Sequence, residues 1–265
     1  GQILGLMESM AMWMALAILW LLYGYLNEKD GGDQRRIYLA SLLYVGVCFV
    51  HERYMVLLPL FILVLLFKKA KSWKLWAAPL SGFAFVQAMR LIFIGTVSPA
   101  GTGGTDVVET MSVGSVIHFA LSQVAYIFGI NAGPEHLNGQ NFREAPIWVI
   151  LLIGIADLMI LLLVLAFCIR LVQKGKQCVR PLQTAVLFVM FIGACIACSS
   201  VTIRVEMRWV YVSFAAALLF MSWMYGTLIS GVAETGRWVQ GVPFLAVITV
   251  YVVLMLPVEV YYRGL

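Results

Sequence analysis

The chain has 265 residues, of which 62 % are hydrophobic and 12 % charged, with a formal charge of +5 and a mean hydropathy of +0.94. That balance excludes a water-soluble domain and points to an all-α, polytopic membrane bundle, one transmembrane domain over residues 1–265. The positive charge does not imply nucleic acid, because the cations sit in short loops between apolar spans.

Eight membrane segments can be read, at roughly 3–26, 37–50, 54–67, 73–95, 146–170, 183–199, 209–229 and 239–258. The first begins almost at Gly1 and carries Glu8 near its start, where a carboxylate also suits the positive end of a helix. No signal peptide is visible ahead of it, and an N-terminally truncated fragment is expected. The second and third come from one apolar run, Ile37 to Phe67, interrupted by His51-Glu52-Arg53-Tyr54. Its 31 residues are too many for a single span, since about 20 cross the hydrocarbon core. Split at the tetrapeptide, it becomes two short helices with three titratable side chains at the joint. Such groups cost about 2.5–3.5 kcal/mol each on insertion scales and seldom sit there without a task.

The loops 27–36, 68–75, 170–180 and 231–238 hold 12 of the 18 basic residues, including all seven lysines. Strict alternation puts these loops on one side, which the positive-inside rule makes the cytoplasm of an inner-membrane protein. The other cations are Arg53, Arg90, Arg143, Arg204, Arg208 and Arg263. Arginine presents a planar fork suited to phosphate or carboxylate, whereas lysine is a point charge. Arg90 lies one turn from Gln87 and shares a face with it.

Residues 96–145 form a long extracytoplasmic region that opens with a Gly/Thr-rich loop. A phosphate nest there is weakened by the absence of a P-loop lysine. Residues 112–129 predict an interfacial helix, polar at His118, Ser122 and Gln123. Asp106, Glu109, Glu135 and His136 complete the titratable groups of this region. The three histidines lack metal-ligand spacing, so no metal site is assigned. The five cysteines avoid the long polar loops, which argues against a disulfide framework, and the Cys195/Cys198 pair reads as helix packing. Asp157 falls near the middle of its apolar span, as an intramembrane coupling residue would. Arg204, Glu206 and Arg208 precede the span that opens at Trp209. Cations there oppose the helix dipole, so an anionic partner is expected, either a lipid phosphate or a carboxylate such as Glu52.

A helix opening with Glu8-Ser9, a basic loop and a short helix pair broken at Cys48-Phe-Val-His-Glu-Arg-Tyr54 resembles the GT-C superfamily of membrane glycosyltransferases. Members such as the protein mannosyltransferases and aminoarabinose transferases use polyprenyl-phosphate sugars. The Arg-x-Glu-x-Arg-Trp segment at 204–209 is similar to that of members with arginine opening a late helix. The likeness covers most of the chain in pattern, without a sharp motif. It implies sugar transfer outside the cytoplasmic membrane, from a lipid-linked donor to a glycan, lipid or protein acceptor. The charged residue after the first short helix, Arg53, or His51 or Glu52, would lie by the lipid phosphate, joined by Arg204, Arg208 and Arg90. Tyr54, Gln87 and Glu206 would be substrate contacts. The family's catalytic acid lies in a first outer loop that this chain does not contain, which leaves Glu8 and Glu52 as candidates. No fixed cofactor is implied, and a divalent metal is compatible. Two other readings stand beside this one: a secondary transporter coupled through Asp157, and an O-antigen-type polymerase or ligase. Against transport, the chain has no internal repeat and no matched pair of broken helices.

Overall fold

The computed structural model describes residues 2–28, 33–97, 112–131, 140–201, 207–230 and 237–264, leaving out the side chains of 2–5, 174, 176, 177, 207, 208, 230 and 237–244. Among the described residues the regular structure is helical throughout. In chain order the helices are α1 (Gln2–Asn27), α2 (Gln34–Val50), α3 (Leu58–Phe67), α4 (Trp73–Ile94), α5 (Val113–Ile127), α6 (Ile147–Lys174), α7 (Val179–Ser200), α8 (Met207–Ser230) and α9 (Arg237–Tyr262). Six of them, α1, α4 and α6 to α9, are long and apolar enough to cross a membrane. The protein is a polytopic helical bundle.

The break expected at His51–Tyr54 is present, and its local cause is visible. Asp33 caps α2 by accepting the Arg35 amide at 3.0 Å. The helix stops at His51, whose extended backbone (φ −153°, ψ 111°) ends the ladder of hydrogen bonds. A tighter 3-10 helix, Glu52–Leu57, then leads into α3, with Pro59 in the first turn, where a missing N–H costs nothing. Both arms reach further than the apolar segments 37–50 and 54–67 suggest. The helix α2 spans ~26 Å, and the 3-10 stretch with its ~2 Å rise brings the returning arm to ~27 Å. The joint therefore sits at one end of the bundle rather than part-way along it.

Contacts at the two ends establish alternating helix directions. At one end Lys68 Nζ, just past α3, donates to the Glu28 carbonyl at 2.7 Å, and Arg36 lies 3.5 Å from the Glu28 carboxylate. At that same end Asn27 bonds Thr184 of α7, and Arg170 of α6 bonds the Leu228 carbonyl of α8. At the opposite end Glu8, the joint and Trp209 meet. The loops that hold all seven lysines in the sequence thus join helices at the Glu28 end.

The main core lies where α1, α2, α3, α7 and α8 converge, filled by Ile18, Tyr25, Tyr44, Tyr54, Phe61 and Phe191. The joint is part of it: Tyr54 is fully buried, and the Tyr44 hydroxyl donates to the Met55 carbonyl at 3.0 Å. A second cluster, with Val149, Ile153, Met255 and Val258, holds α6 to α9. Between these helices and α8 lies an apolar cavity of about 450 Å³, lined by residues such as Ile160, Met221, Tyr225 and Val250. The five cysteines are free, and the Cys198 thiol bonds the Cys195 carbonyl one turn back.

Candidate functional site

Arg53 and His51 of the joint turn toward Glu8 of α1, which also meets Trp209 from the first turn of α8. Arg53 Nη2 donates to Glu8 Oε2 at 2.5 Å. Glu8 Oε1 accepts from Trp209 Nε1 at 3.1 Å and lies 3.3 Å from His51 Nε2. The side chains of Glu8 and Arg53 are only 11 % and 8 % exposed, while His51 is 31 % exposed and forms the rim. The Arg53 guanidinium lies 5.1 Å from the Tyr54 ring centroid and 5.9 Å from that of Trp209, a placement favourable for cation–π attraction. Burial disfavours the Arg53 cation, but neighbouring Tyr54 and Glu8 more than offset this and hold its pKa above the ordinary arginine value.

Two nitrogens in this cluster are buried without a hydrogen-bond partner among the described residues: Arg53 Nη1 and His51 Nδ1. An unsatisfied buried donor on a cation is costly, so Arg53 Nη1 favours an additional acceptor. Glu8 has donors on both oxygens. In this arrangement it positions the arginine and the indole.

The second charged pair is Glu52 with Arg90, which ties the joint to the last turns of α4. Gln87, one turn before Arg90, is half-buried with its Oε1 lacking a partner among the described residues. The expected anionic partner Glu52 is thus already engaged by Arg90. Arg204 and Glu206 lie outside the described residues, as do the Arg208 side chain, Asp106, Glu109, Glu135 and His136. Trp209, immediately after Arg208, lies directly against Glu8.

Behind the site, α5 braces the end of α7. Gln123, expected on a polar surface, is fully buried instead. Its Nε2 donates to Ser200 Oγ at 2.9 Å, and Ser199 Oγ lies 2.6 Å from its Oε1. Tyr126 donates to Glu259 of α9 at 2.8 Å, and burial together with that carboxylate raises the phenol pKa. His118 remains exposed on α5.

Among the described residues no three His, Cys, Asp or Glu side chains converge as a metal site would require. Asp157 is half-buried on α6, with Oδ1 lacking a partner among the described residues. Sequence reasoning singled out Glu8, His51, Arg53, Glu52 and Arg90 individually but not their pairing. It missed Trp209 as a ligand of Glu8 and Ser199 and Ser200 as partners of Gln123. No local signal marks such contacts, because each joins residues far apart in the chain. No protein-family model, curated protein or solved structure matches this chain.

Proposed function

We propose that this chain is a membrane glycosyltransferase of the GT-C type, moving a sugar from a polyprenyl-phosphate donor to an acceptor on the extracytoplasmic face. The observation that carries the reading is Arg53. Its guanidinium is buried at the end of the bundle away from the lysine-bearing loops, with Nη2 on Glu8 and Nη1 free of any partner among the described residues. A phosphate oxygen supplies what Nη1 lacks, through a charge-assisted hydrogen bond. Arg208, next in sequence to Trp209, and Arg204 would add charge from the same side.

In the reaction the bond between the sugar C1 and the phosphate oxygen breaks, and the acceptor oxygen bonds C1 from the opposite face. The departing lipid phosphate gains charge, which the arginines offset. A carboxylate takes the proton of the acceptor hydroxyl. The pairing of Glu8 and Glu52 with arginine supports a role in holding Arg53 and Arg90, and both carboxylates stay candidates for the base.

The test is polyprenyl-phosphate binding and thermal stability measured on the same purified variants. Arg53→Lys keeps the charge beside Glu8 and removes the fork. It is expected to remain folded and to bind the lipid phosphate more weakly than the parent protein. Arg53→Ala should lose about 1.5–3 kcal/mol of binding, roughly 10–150-fold. Unchanged lipid affinity in both variants would overturn the assignment.

One observation favours a different class. The unpartnered Asp157 Oδ1, on a helix that also lines the 450 Å³ cavity, suits the coupling group of a secondary transporter. For a transferase, Asp157→Asn is expected to preserve most activity, because the residue lies ~15 Å down α6 from its Ile147 end.

A further inference from the structure

Helix α5 presents three distinct faces. With ~100° between successive residues, Val113, Ile117, Leu121, Val124 and Phe128 fall in one sector, and all five are exposed. Phe119, Gln123 and Tyr126 fall in a second sector and are buried. Ser115, His118 and Ser122 form a third sector, turned roughly 130° from the first. Three large side chains of the apolar sector, Val113, Leu121 and Ile117, are 77 %, 62 % and 54 % exposed.

The buried sector fixes where the helix lies. Gln123 bonds Ser199 and Ser200 in the last turn of α7. Tyr126 bonds Glu259 in the last turns of α9. Phe119 and Tyr126 cluster with Val210 in the first turn of α8. All three partner helices are membrane-spanning, so within ~10 Å of its length α5 touches the ends of three spans. Its 15 residues are too few to cross a membrane.

We infer that the Val113–Phe128 stripe is a bilayer-docking surface, inserted among the acyl chains of the leaflet at the Glu8 end of the bundle. Lipid is favoured over a protein partner by the arrangement of the sectors. The Ser115/His118/Ser122 strip lies ~130° around the helix from the apolar stripe, which leaves a polar side to water when the stripe enters hydrocarbon. The stripe also stands at the ends of spans whose exposed faces are themselves apolar. Helix α5 carries no lysine or arginine. Insertion therefore rests on apolar area and does not require anionic lipid. Because Gln123 grips the two residues that follow Cys198 on α7, this surface seats the helix end that stands behind the Arg53 cluster.

The experiment uses the full chain with exposed Cys168 and half-buried Cys198 replaced by serine and the buried thiols kept. A nitroxide is placed at Leu121 or His118, and the protein is reconstituted in phosphatidylcholine nanodiscs. Collisions with oxygen report lipid, and collisions with a water-soluble nickel chelate report water. The Leu121 label should respond to oxygen and not to nickel, and the His118 label should show the reverse. Adding anionic lipid or salt should change neither. Labels at Ile117 and Val124 repeat the measurement should the Leu121 label disturb the fold. Nickel reaching Leu121 as readily as His118 would place the stripe in water and overturn the proposal. A Leu121 label shielded from both probes, with dipolar coupling between labels, would overturn it in favour of a second copy of the chain.

Discussion

The Glu8–Arg53 pair can act as scaffold, as anion receptor, or as both, and substitution separates these roles. Each side chain is nearly buried, so removing one leaves the other charge unpaired. Glu8→Gln should therefore cost about 3–5 kcal/mol in stability, read by denaturant titration in micelles. Replacing both partners together should recover most of that loss, because a buried pair is worth little against neutral side chains of similar size. The double variant Glu8→Gln/Arg53→Met is thus expected to be nearly as stable as the parent while binding no polyprenyl phosphate. A double variant that still binds the lipid would remove Arg53 from the site. Gln123 behaves differently. Ser200 Oγ keeps the Ile196 carbonyl at 2.7 Å, and Ser199 Oγ has the Cys195 carbonyl at 2.7 Å. Gln123→Leu strands no hydroxyl and should cost about 1 kcal/mol or less.

Among the elements, the joint between α2 and α3 and the turn after α5 do the positioning. The joint brings His51, Glu52 and Arg53 into the bundle because α2 stops at an extended residue and the chain restarts as a 3-10 turn. The turn after α5 relies on Gly129, whose φ of +76° lies in the left-handed region. Its carbonyl accepts the Tyr262 hydroxyl at 2.6 Å, which stitches α5 to the end of α9. A Cβ at Gly129 would meet Met255 Cε at 2.7 Å and Ile153 Cγ1 at 3.1 Å. Gly95, at φ +80°, caps α4 with nothing within 4 Å of an added Cβ. Both alanine variants carry the left-handed penalty of about 1–2 kcal/mol. Gly129→Ala adds crowding and should lower the melting temperature more than Gly95→Ala does. Equal shifts would mean that the α5–α9 contact contributes no constraint.

For the whole molecule, helix direction and charge sorting agree. The helices alternate between the Glu28 and Glu8 ends, and the lysine-bearing loops belong to the former. Cysteines at positions 71 and 176 should be cytoplasmic, and those at 106 and 138 extracytoplasmic, in a background lacking reactive thiols. An impermeant maleimide applied to intact cells should modify only 106 and 138. Labelling at 71 would reverse the orientation and place the Arg53 cluster on the cytoplasmic side. Asp157 belongs to this scale as well, since the transferase and transporter readings assign it different roles. Loss of turnover in Asp157→Asn, with folding and donor binding intact, would favour the transporter.

The sequence by itself determined the class of the molecule, the approximate helix positions, the break at His51–Tyr54 and the sorting of lysines to one end. These follow from hydropathy, charge and capping, properties that each segment carries locally. It also pointed to Glu8, Glu52, Arg53, Arg90 and Asp157, because a charge within an apolar run is conspicuous wherever the run packs. Only the tertiary structure decided that Glu8 holds Arg53 from 45 residues away, that Trp209 closes the same carboxylate from 201 residues away, that Arg90 takes Glu52, and that Gln123 is buried against α7. The physical reason is that spans apolar on every side carry almost no facing preference in their residue pattern. Which helices become neighbours is then settled by shape and by the few polar groups that must find partners in a medium without water.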